Sequence, residues 1–185
     1  MGKLVFSISV SLDGFADHTA TVGPDDELLG FFSDLPDETE VALFGRVTYQ
    51  LMESYWPHAY EDPKATKGML KFADKFNAVP KVVFSRTLQE ANWNNTRLVR
   101  ENMIEEVVNL KGQTRKNILL CGISMSQEFI KLGIVDEYWI EVHPVLVGKG
   151  RRLFDGLNNR ANLKLSETRT FRLGVVALHY LSQKS

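Results

Sequence analysis

Three short segments of this chain carry residue types suited to holding a phosphate. Ile118 to Gln127 reads Ile-Leu-Leu-Cys-Gly-Ile-Ser-Met-Ser-Gln, an apolar run that passes through Cys121-Gly122 into a helical pattern. A glycine between a buried strand and a helix N-terminus lets backbone N–H groups approach a ligand closely, and the helix dipole favours negative charge there. Phe44-Gly45-Arg46 repeats the arrangement. Arg46 in a first helical turn is disfavoured by the dipole, by about 0.3–1 kcal/mol at an exposed site, unless an anion lies between its guanidinium and the amides. Thr48 adds a hydroxyl donor for the same anion, and Ser85-Arg86-Thr87 follows a third strand. Together, two arginines and a glycine turn at three strand ends describe a nucleotide phosphate site. Taken singly, each also reads as a tight turn or a solvated arginine. Neither G-x-G-x-x-G nor the phosphate loop ending in Gly-Lys-Ser/Thr is present, so a nucleotide would have to bind in another way.

The elements that must position these segments follow from periodicity. Leu4–Val10 reads as a central strand feeding a turn at Asp13-Gly14, with a polar loop over 13–24. Pro24-Asp25-Asp26-Glu27 opens a helix that buries Leu28, Leu29, Phe31 and Phe32 and ends near Leu35-Pro36. Val41–Phe44 is a short buried strand, a second helix runs from Gly45-Arg46 to about Tyr55, and a third covers Thr66–Phe76. Strands follow at Lys81–Phe84 and Thr96–Val99. Asn102 with Glu105 predicts a capped helix stopping at Gly112, and Ser124 with Gln127 predicts another, after the strand Ile118–Cys121, stopping at Gly133. Val135–His143, Asn162–Phe171 and Val175–Leu181 are strands, the last two joined as a hairpin at 172–174. Alternation of β and α followed by strands alone predicts an α/β fold, with a mostly parallel central sheet flanked by helices and an antiparallel C-terminal hairpin. Ligands in such sheets bind beyond the carboxyl ends of the strands.

Composition narrows the function. A chain of 185 residues, 44% of them apolar, is sized for a single domain spanning 1–185. A formal net charge of -1 offers no basic excess for nucleic acid. One cysteine, Cys121, permits no internal disulfide and no metal cluster of Cys/His type, which suits a reducing cytoplasm. No apolar stretch approaches the roughly 20 residues that a bilayer span requires, and the N-terminus lacks the long apolar core of a signal peptide. The partners predicted are a small molecule and a second copy of the chain, without nucleic acid or membrane.

Ser-Leu-Asp-Gly at 11–14, Leu-Phe-Gly-Arg-Val-Thr-Tyr at 43–49, Val-Phe-Ser-Arg-Thr-Leu at 83–88, the glycine turn at 121–122 and the long segment 133–154 occur in an order that resembles the dihydrofolate reductase superfamily. The nearer branch is the bacterial proteins similar to the C-terminal reductase domain of the riboflavin biosynthesis enzyme. The resemblance covers essentially the whole chain and implies an NADPH-dependent reductase of a small heterocycle, of riboflavin-precursor type (5-amino-6-(5-phosphoribosylamino)uracil) or pterin type. The different-class alternative is a non-catalytic nucleotide-binding or stress-related protein that retains the fold. By resemblance, Arg46, Val47 and Thr48 hold the adenosine-side phosphates and Ser85, Arg86 and Thr87 lie beside the adenine ribose. Gly122, Ile123, Ser124, Met125 and Ser126 likewise present amides to the pyrophosphate. Where the family has two adjacent glycines this chain has Cys121-Gly122.

The same resemblance places Asp13 near the nicotinamide as the candidate catalytic acid, although Asp-Gly is equally an ordinary turn. Phe31, Tyr49 and Trp56 become candidates to line a pocket for a planar substrate, with Tyr55 and His58 nearby. Lys149 and Arg151, in the basic turn 148–152, become candidates for a substrate phosphate. Dihydrofolate reductases carry a buried acid on the first helix, facing the pterin; here Asp25, Asp26 and Glu27 read as partners of the helix dipole, and Leu29, Gly30, Phe31 and Phe32 follow. His143, before Pro144, reads as a partly buried histidine bonded to backbone, and Asp136 and Glu137 as solvated residues opening a strand. A homodimer, through the exposed edges of the C-terminal strands, is also implied.

Overall fold

Apolar and β-branched runs form strands β1 (Leu4–Ser11), β2 (Thr39–Gly45), β3 (Lys81–Phe84), β4 (Thr96–Val99), β5 (Asn117–Cys121), β6 (Glu137–His143), β7 (Leu163–Thr170) and β8 (Val176–Ser182). Helices α1 (Asp26–Asp34), α2 (Arg46–Glu53), α3 (Lys67–Ala78), α4 (Met103–Gln113) and α5 (Ile123–Lys131) alternate with the first six strands. The structure is a computed structural model and describes residues 1–16, 19, 21–157 and 160–183. Asp17, His18 and Ala20 of the polar loop lie outside the described residues. The chain forms two compact units, Met1–Gly2 with Pro24–Gly122, and Lys3–Gly23 with Ile123–Ser185.

In the first unit β4, β3, β2 and β5 lie side by side in that order, all parallel. Phe44 stands opposite Val83 on one side and Cys121 on the other, so the three strands end level with one another. Burial on both faces explains why β2, β3 and β5 read as continuous apolar runs rather than alternating ones. The core gathers Leu29, Ala42, Phe44, Tyr49, Phe72, Phe76, Val83, Trp93 and Leu119. Within it Phe44, Tyr49 and Trp93 meet at ring separations of 6.2–6.4 Å, and Phe72 stacks on Phe76 at 4.4 Å. Lys81 is buried yet satisfied: its Nζ donates to the Val79 carbonyl at 2.7 Å and lies 4.5 Å from the Trp93 ring centre, while burial lowers its pKa to about 8.

In the second unit β1 pairs in parallel with β6, and β6, β8 and β7 continue as an antiparallel sheet. Leu4, Phe6, Phe129, Val135 and Val175 are fully buried there. Phe6 meets Tyr138 edge-on at 6.3 Å. β7 is exposed almost throughout. The class is therefore α/β and mostly parallel, with the antiparallel C-terminal hairpin that the element order implies.

Helix ends follow local chemistry, with three departures from the sequence reading. Asp25 and Thr66 cap α1 and α3 with their side chains, accepting from the N–H of Leu28 and Met69. Asn102 precedes α4 in the left-handed region, φ 54°, and makes no side-chain cap bond. Gly112 is absorbed into the last turn of α4, where Thr114 Oγ1 donates to the Leu110 carbonyl at 2.9 Å. Ser124 does not cap α5, because that helix already begins at Ile123. Glu137 is also not solvated: it is 8% exposed and accepts from Lys3 Nζ at 2.6 Å, with His179 Nε2 2.9 Å away.

Candidate active site

The carboxyl ends of β3, β2 and β5 bring three of the sequence segments side by side. Gly45 stands opposite Phe84 and Phe44 opposite Cys121, so Arg46, Ser85 and Gly122 each leave the sheet at the same level. Gly45 is the N-cap of α2 and supplies no side chain to its free amides, and the first turn holds no acid. An uncapped turn of this kind leaves donors and positive dipole for an anion. Arg46 is exposed and its Nη1 donates to Gln50 Oε1 at 3.3 Å, which runs the guanidinium along the helix surface. Val47 is 70% exposed.

Gly122 is the tightest point. Its φ of +99° belongs to a region that L side chains rarely adopt, and a Cβ built there would run into Thr48 Oγ1 and come within 3.2 Å of Thr48 Cβ. The Thr48 side chain, in the first turn of α2, thus packs directly against the exit of β5, where only a glycine leaves room for it. The Ser85 turn is preformed: Ser85 Oγ accepts from the N–H groups of Thr87 at 3.2 Å and Leu88 at 2.9 Å. Arg86 and Thr87 are exposed on it. Sequence reasoning missed Arg100, whose Nη1 donates to the Leu88 carbonyl at 2.9 Å and Nη2 to that of Gln89 at 3.1 Å, clamping the turn from outside. Its signal is only an arginine just beyond β4.

Of the α5 segment, Ile123 is half-buried and Ser124 exposed, whereas Met125 and Ser126 are 6% and 0% exposed. Met125 and Ser126 therefore have only backbone to offer a phosphate. Ser124 Oγ instead accepts from Arg151 Nη1 at 2.8 Å, and Gln127 Nε2 donates to the Leu153 carbonyl at 2.9 Å. Arg151 thus sits against the first turn of α5, while Lys149 is simply exposed.

Asp13 is committed to its own loop. Its carboxylate accepts from Ser11 Oγ at 2.7 Å, from the Gly148 N–H at 2.7 Å and from the Val147 N–H at 3.2 Å. The Ser11 hydroxyl above all, with those two amides, holds its pKa below the usual carboxylate value against the opposing effect of desolvation. A carboxylate held ionised in this way ties down the 145–148 segment and is a poor proton donor.

The aromatic candidates are packing residues. Tyr49 is 0% exposed; its hydroxyl donates to Glu53 Oε1 at 2.8 Å and accepts from the Trp93 N–H at 2.9 Å. Phe31 is 7% exposed, with its ring 5.5 Å from that of Phe32. Trp56 is half-buried against Phe72 at 4.3 Å. Tyr49 and Trp56 thus serve the core of the first unit, with Phe32 rather than Phe31 packed against it from α1.

Of a second polar constellation the sequence reading names only His143, as a partly buried histidine bonded to backbone, and misses its companions. Ser7, Ser9 and Ser11 on β1 stand opposite Trp139, Glu141 and His143 on β6, at alternate positions that share one face. Glu141 is 0% and His143 2% exposed. Ser7 Oγ donates to Glu141 Oε1 at 3.1 Å, and the Val22 N–H donates to His143 Nδ1 at 3.2 Å. Burial pushes the Glu141 carboxyl up to about 8 despite the Ser7 hydrogen bond, and lowers the His143 pKa. The signal was the even spacing of polar residues in two strands that pair. Among the described residues no group of His, Cys, Asp and Glu could hold a metal ion, and no helix is long and apolar enough to cross a membrane.

A model of the RibD C-terminal domain matches residues 2–177. The uncharacterized protein YyaP of Bacillus subtilis strain 168 is 36% identical, over 96% of this chain and 94% of its own. A Shewanella sp. PV-4 protein named for riboflavin biosynthesis superposes with a TM-score of 0.75 at 20% identity, over 100% of both chains. A pyrimidine reductase-like protein of Corynebacterium diphtheriae does so with a TM-score of 0.71 at 16% identity, over 100% of this chain and 93% of that one. These structural likenesses establish the fold, which is of the dihydrofolate reductase-like, RibD reductase type.

Proposed function

The chain belongs to the RibD C-terminal domain family, a family of reductase domains, and from that premise we propose that it is an NADPH-dependent reductase of a small oxo-substituted nitrogen heterocycle, of riboflavin-precursor or pterin type. One observation carries the cofactor part: Gly122, at positive φ and pressed against Thr48, beside the uncapped first turn of α2 and the preformed Ser85 turn. Donor groups at three neighbouring strand exits support a nucleotide phosphate as the ligand. Arg46 and Thr48 would hold the adenosine-side phosphates. The exposed Arg86 and Thr87 would lie against the ribose, and the Gly122 peptide would take part of the pyrophosphate. NADPH, when bound, supplies a hydride to an electrophilic carbon. The protein must orient the substrate and deliver a proton to the adjoining heteroatom.

The substrate part draws on the names of the similar proteins, one tied to riboflavin biosynthesis and one to pyrimidine reduction. A non-catalytic nucleotide-binding role has one observation in its favour: the Asp13 carboxylate is taken up by the Ser11 hydroxyl and the amides of Val147 and Gly148, which makes it a poor proton donor. Following NADPH absorbance with ribosylaminopyrimidine and pterin substrates separates the two. Turnover that Gly122→Ala abolishes supports the reductase, whereas tight cofactor binding with no turnover of any substrate supports the binding role.

A further inference from the structure

Among the described residues, Glu141 and His143 each keep one buried polar atom without a partner, Glu141 Oε2 and His143 Nε2. Such atoms are uncommon in folded proteins, and each left unsatisfied costs about 1–3 kcal/mol. Here two occur two residues apart on one face of one strand. The hydrogen bonds made by their other atoms determine what the free atoms are. The Val22 N–H donates to His143 Nδ1, so that nitrogen carries no proton in the neutral ring and Nε2 is the N–H donor. Ser7 Oγ donates to Glu141 Oε1, and complete burial with no cation at hand among the described residues favours the protonated carboxyl, whose proton then resides on Oε2. Both open positions are therefore donors. Ser7 and Ser9 on the same face of β1 are half-exposed, and Ser9 stands directly opposite Glu141.

We propose that Glu141 and His143 are a specificity-determining pair: two buried hydrogen-bond donors that select a planar ligand edge carrying two acceptors, a carbonyl oxygen beside an unprotonated ring nitrogen, and reject an edge carrying an amino group. The pair deepens the reductase reading, in that it names the substrate edge, but its chemistry does not depend on the cofactor. Rejection arises because an amino donor facing an O–H or N–H donor leaves both unpaired, which is the strongest form of small-molecule discrimination available to a buried site. Glu141 acts here as a neutral acid, so an uncharged isostere preserves its role and an apolar one does not.

The test uses lumazine (pteridine-2,4-dione), whose 4-oxo group lies beside a ring nitrogen, and 2,4-diaminopteridine, which replaces that oxygen with an amino group. Binding of each is followed by ligand fluorescence on the purified full chain. Wild-type protein binds lumazine at least about tenfold more tightly than the diamino compound, the size of one lost and unpaired hydrogen bond. Glu141→Gln retains lumazine binding within about threefold, while Glu141→Leu and His143→Phe each lose about tenfold or more. NADPH titrations of the same variants, read by tryptophan quenching, show that the first unit remains folded and keep the two ideas apart. Loss of lumazine selectivity with intact cofactor binding concerns this pair alone, and absent cofactor binding with intact selectivity concerns the reductase alone. Independently of any ligand, long-range ¹H–¹⁵N spectra place the His143 proton on Nε2. A wild-type protein that fails to bind lumazine, a preference for the diamino compound, lumazine affinity unmoved in both Glu141→Leu and His143→Phe, or an Nδ1–H tautomer at His143 would overturn the proposal.

Discussion

At the scale of single residues, Gly122 is the position where chemistry and backbone coincide. Replacing it with alanine places a Cβ against Thr48 and holds an L residue at a φ of +99°. The strain alone is worth about 1–3 kcal/mol. Gly122→Ala should lower stability by that amount in chemical denaturation and weaken NADPH binding at least about tenfold. Adding Thr48→Ala relieves the collision but not the backbone, so the double variant regains only part of the stability and, lacking the hydroxyl, none of the affinity.

Glu141 offers a second residue-scale prediction, with a definite sign. Its folded-state pKa of about 8 exceeds the ordinary 4.5, so between those values the native state holds a proton that the unfolded chain has released. Stability therefore falls as pH rises through that window. Glu141→Gln removes this dependence, and its melting temperature should gain on the wild type as pH is raised from about 5 to about 8. Parallel melting curves for the two proteins across that range would show that Glu141 is ionised in the fold.

At the scale of elements, the loops beside the strand ends are held by side chains that reach back to them. Arg100 clamps the carbonyls of Leu88 and Gln89, and Asp13 takes the amides of Val147 and Gly148. Arg100→Ala should loosen the 85–89 turn and raise the Kd for NADPH by a few-fold with little change in melting temperature. In Asp13→Leu, hydrogen exchange at Val147 and Gly148 should quicken, while exchange in the cores of β2 and β5 stays as it was. Elements were the most legible feature of the chain. Lys81–Phe84 and Thr96–Val99 are read from the sequence with the boundaries the structure has, because turn residues bracket short apolar runs. Strand ends elsewhere shift by one or two residues, as where β6 begins at Glu137 rather than Val135, and the capping signals mislead at two helix ends. Ser124 with Gln127 has the spacing of a capping box, yet α5 already begins at Ile123, and both side chains turn to the 151–153 segment instead. Gly112 fails to stop α4 because Thr114 closes its last turn. Local spacing offers several possible ends, and contacts made far along the chain choose among them.

The candidate site was legible where it depends on backbone and hidden where it depends on burial. Glycine and arginine at the ends of apolar runs announce the three strand exits. Nothing local distinguishes Glu141 from a solvent-facing residue of an alternating strand, since only the pairing of β6 with β1 and the cover over that face make it buried. Tyr49 and Trp56 mislead for the converse reason: an aromatic residue suits a ligand pocket and a core equally, and the inward faces of α2 and the following turn decide for the core.

At the scale of the whole molecule, the two compact units carry different candidate features, the strand exits of β2 and β3 with Gly122 in the first and the buried Glu141 and His143 in the second. A second copy of the chain remains a proposal, supported by the exposure of β7 along its length and by Leu165, 49% exposed on that strand. An exposed strand with an apolar residue at its centre favours association. Sedimentation should give twice the chain mass, and Leu165→Lys should shift it towards one chain; a monomer at micromolar concentration would remove the dimer from the account.

The central claim is the nucleotide site at the strand exits, and titration with NADPH and NADH, followed by quenching of tryptophan emission and repeated on Arg46→Ala, tests it most directly. The account predicts micromolar NADPH binding that is poorer for NADH and at least about tenfold weaker in the variant. Failure of the wild-type protein to bind either cofactor, or affinity for both unmoved by Arg46→Ala and Gly122→Ala, would contradict it.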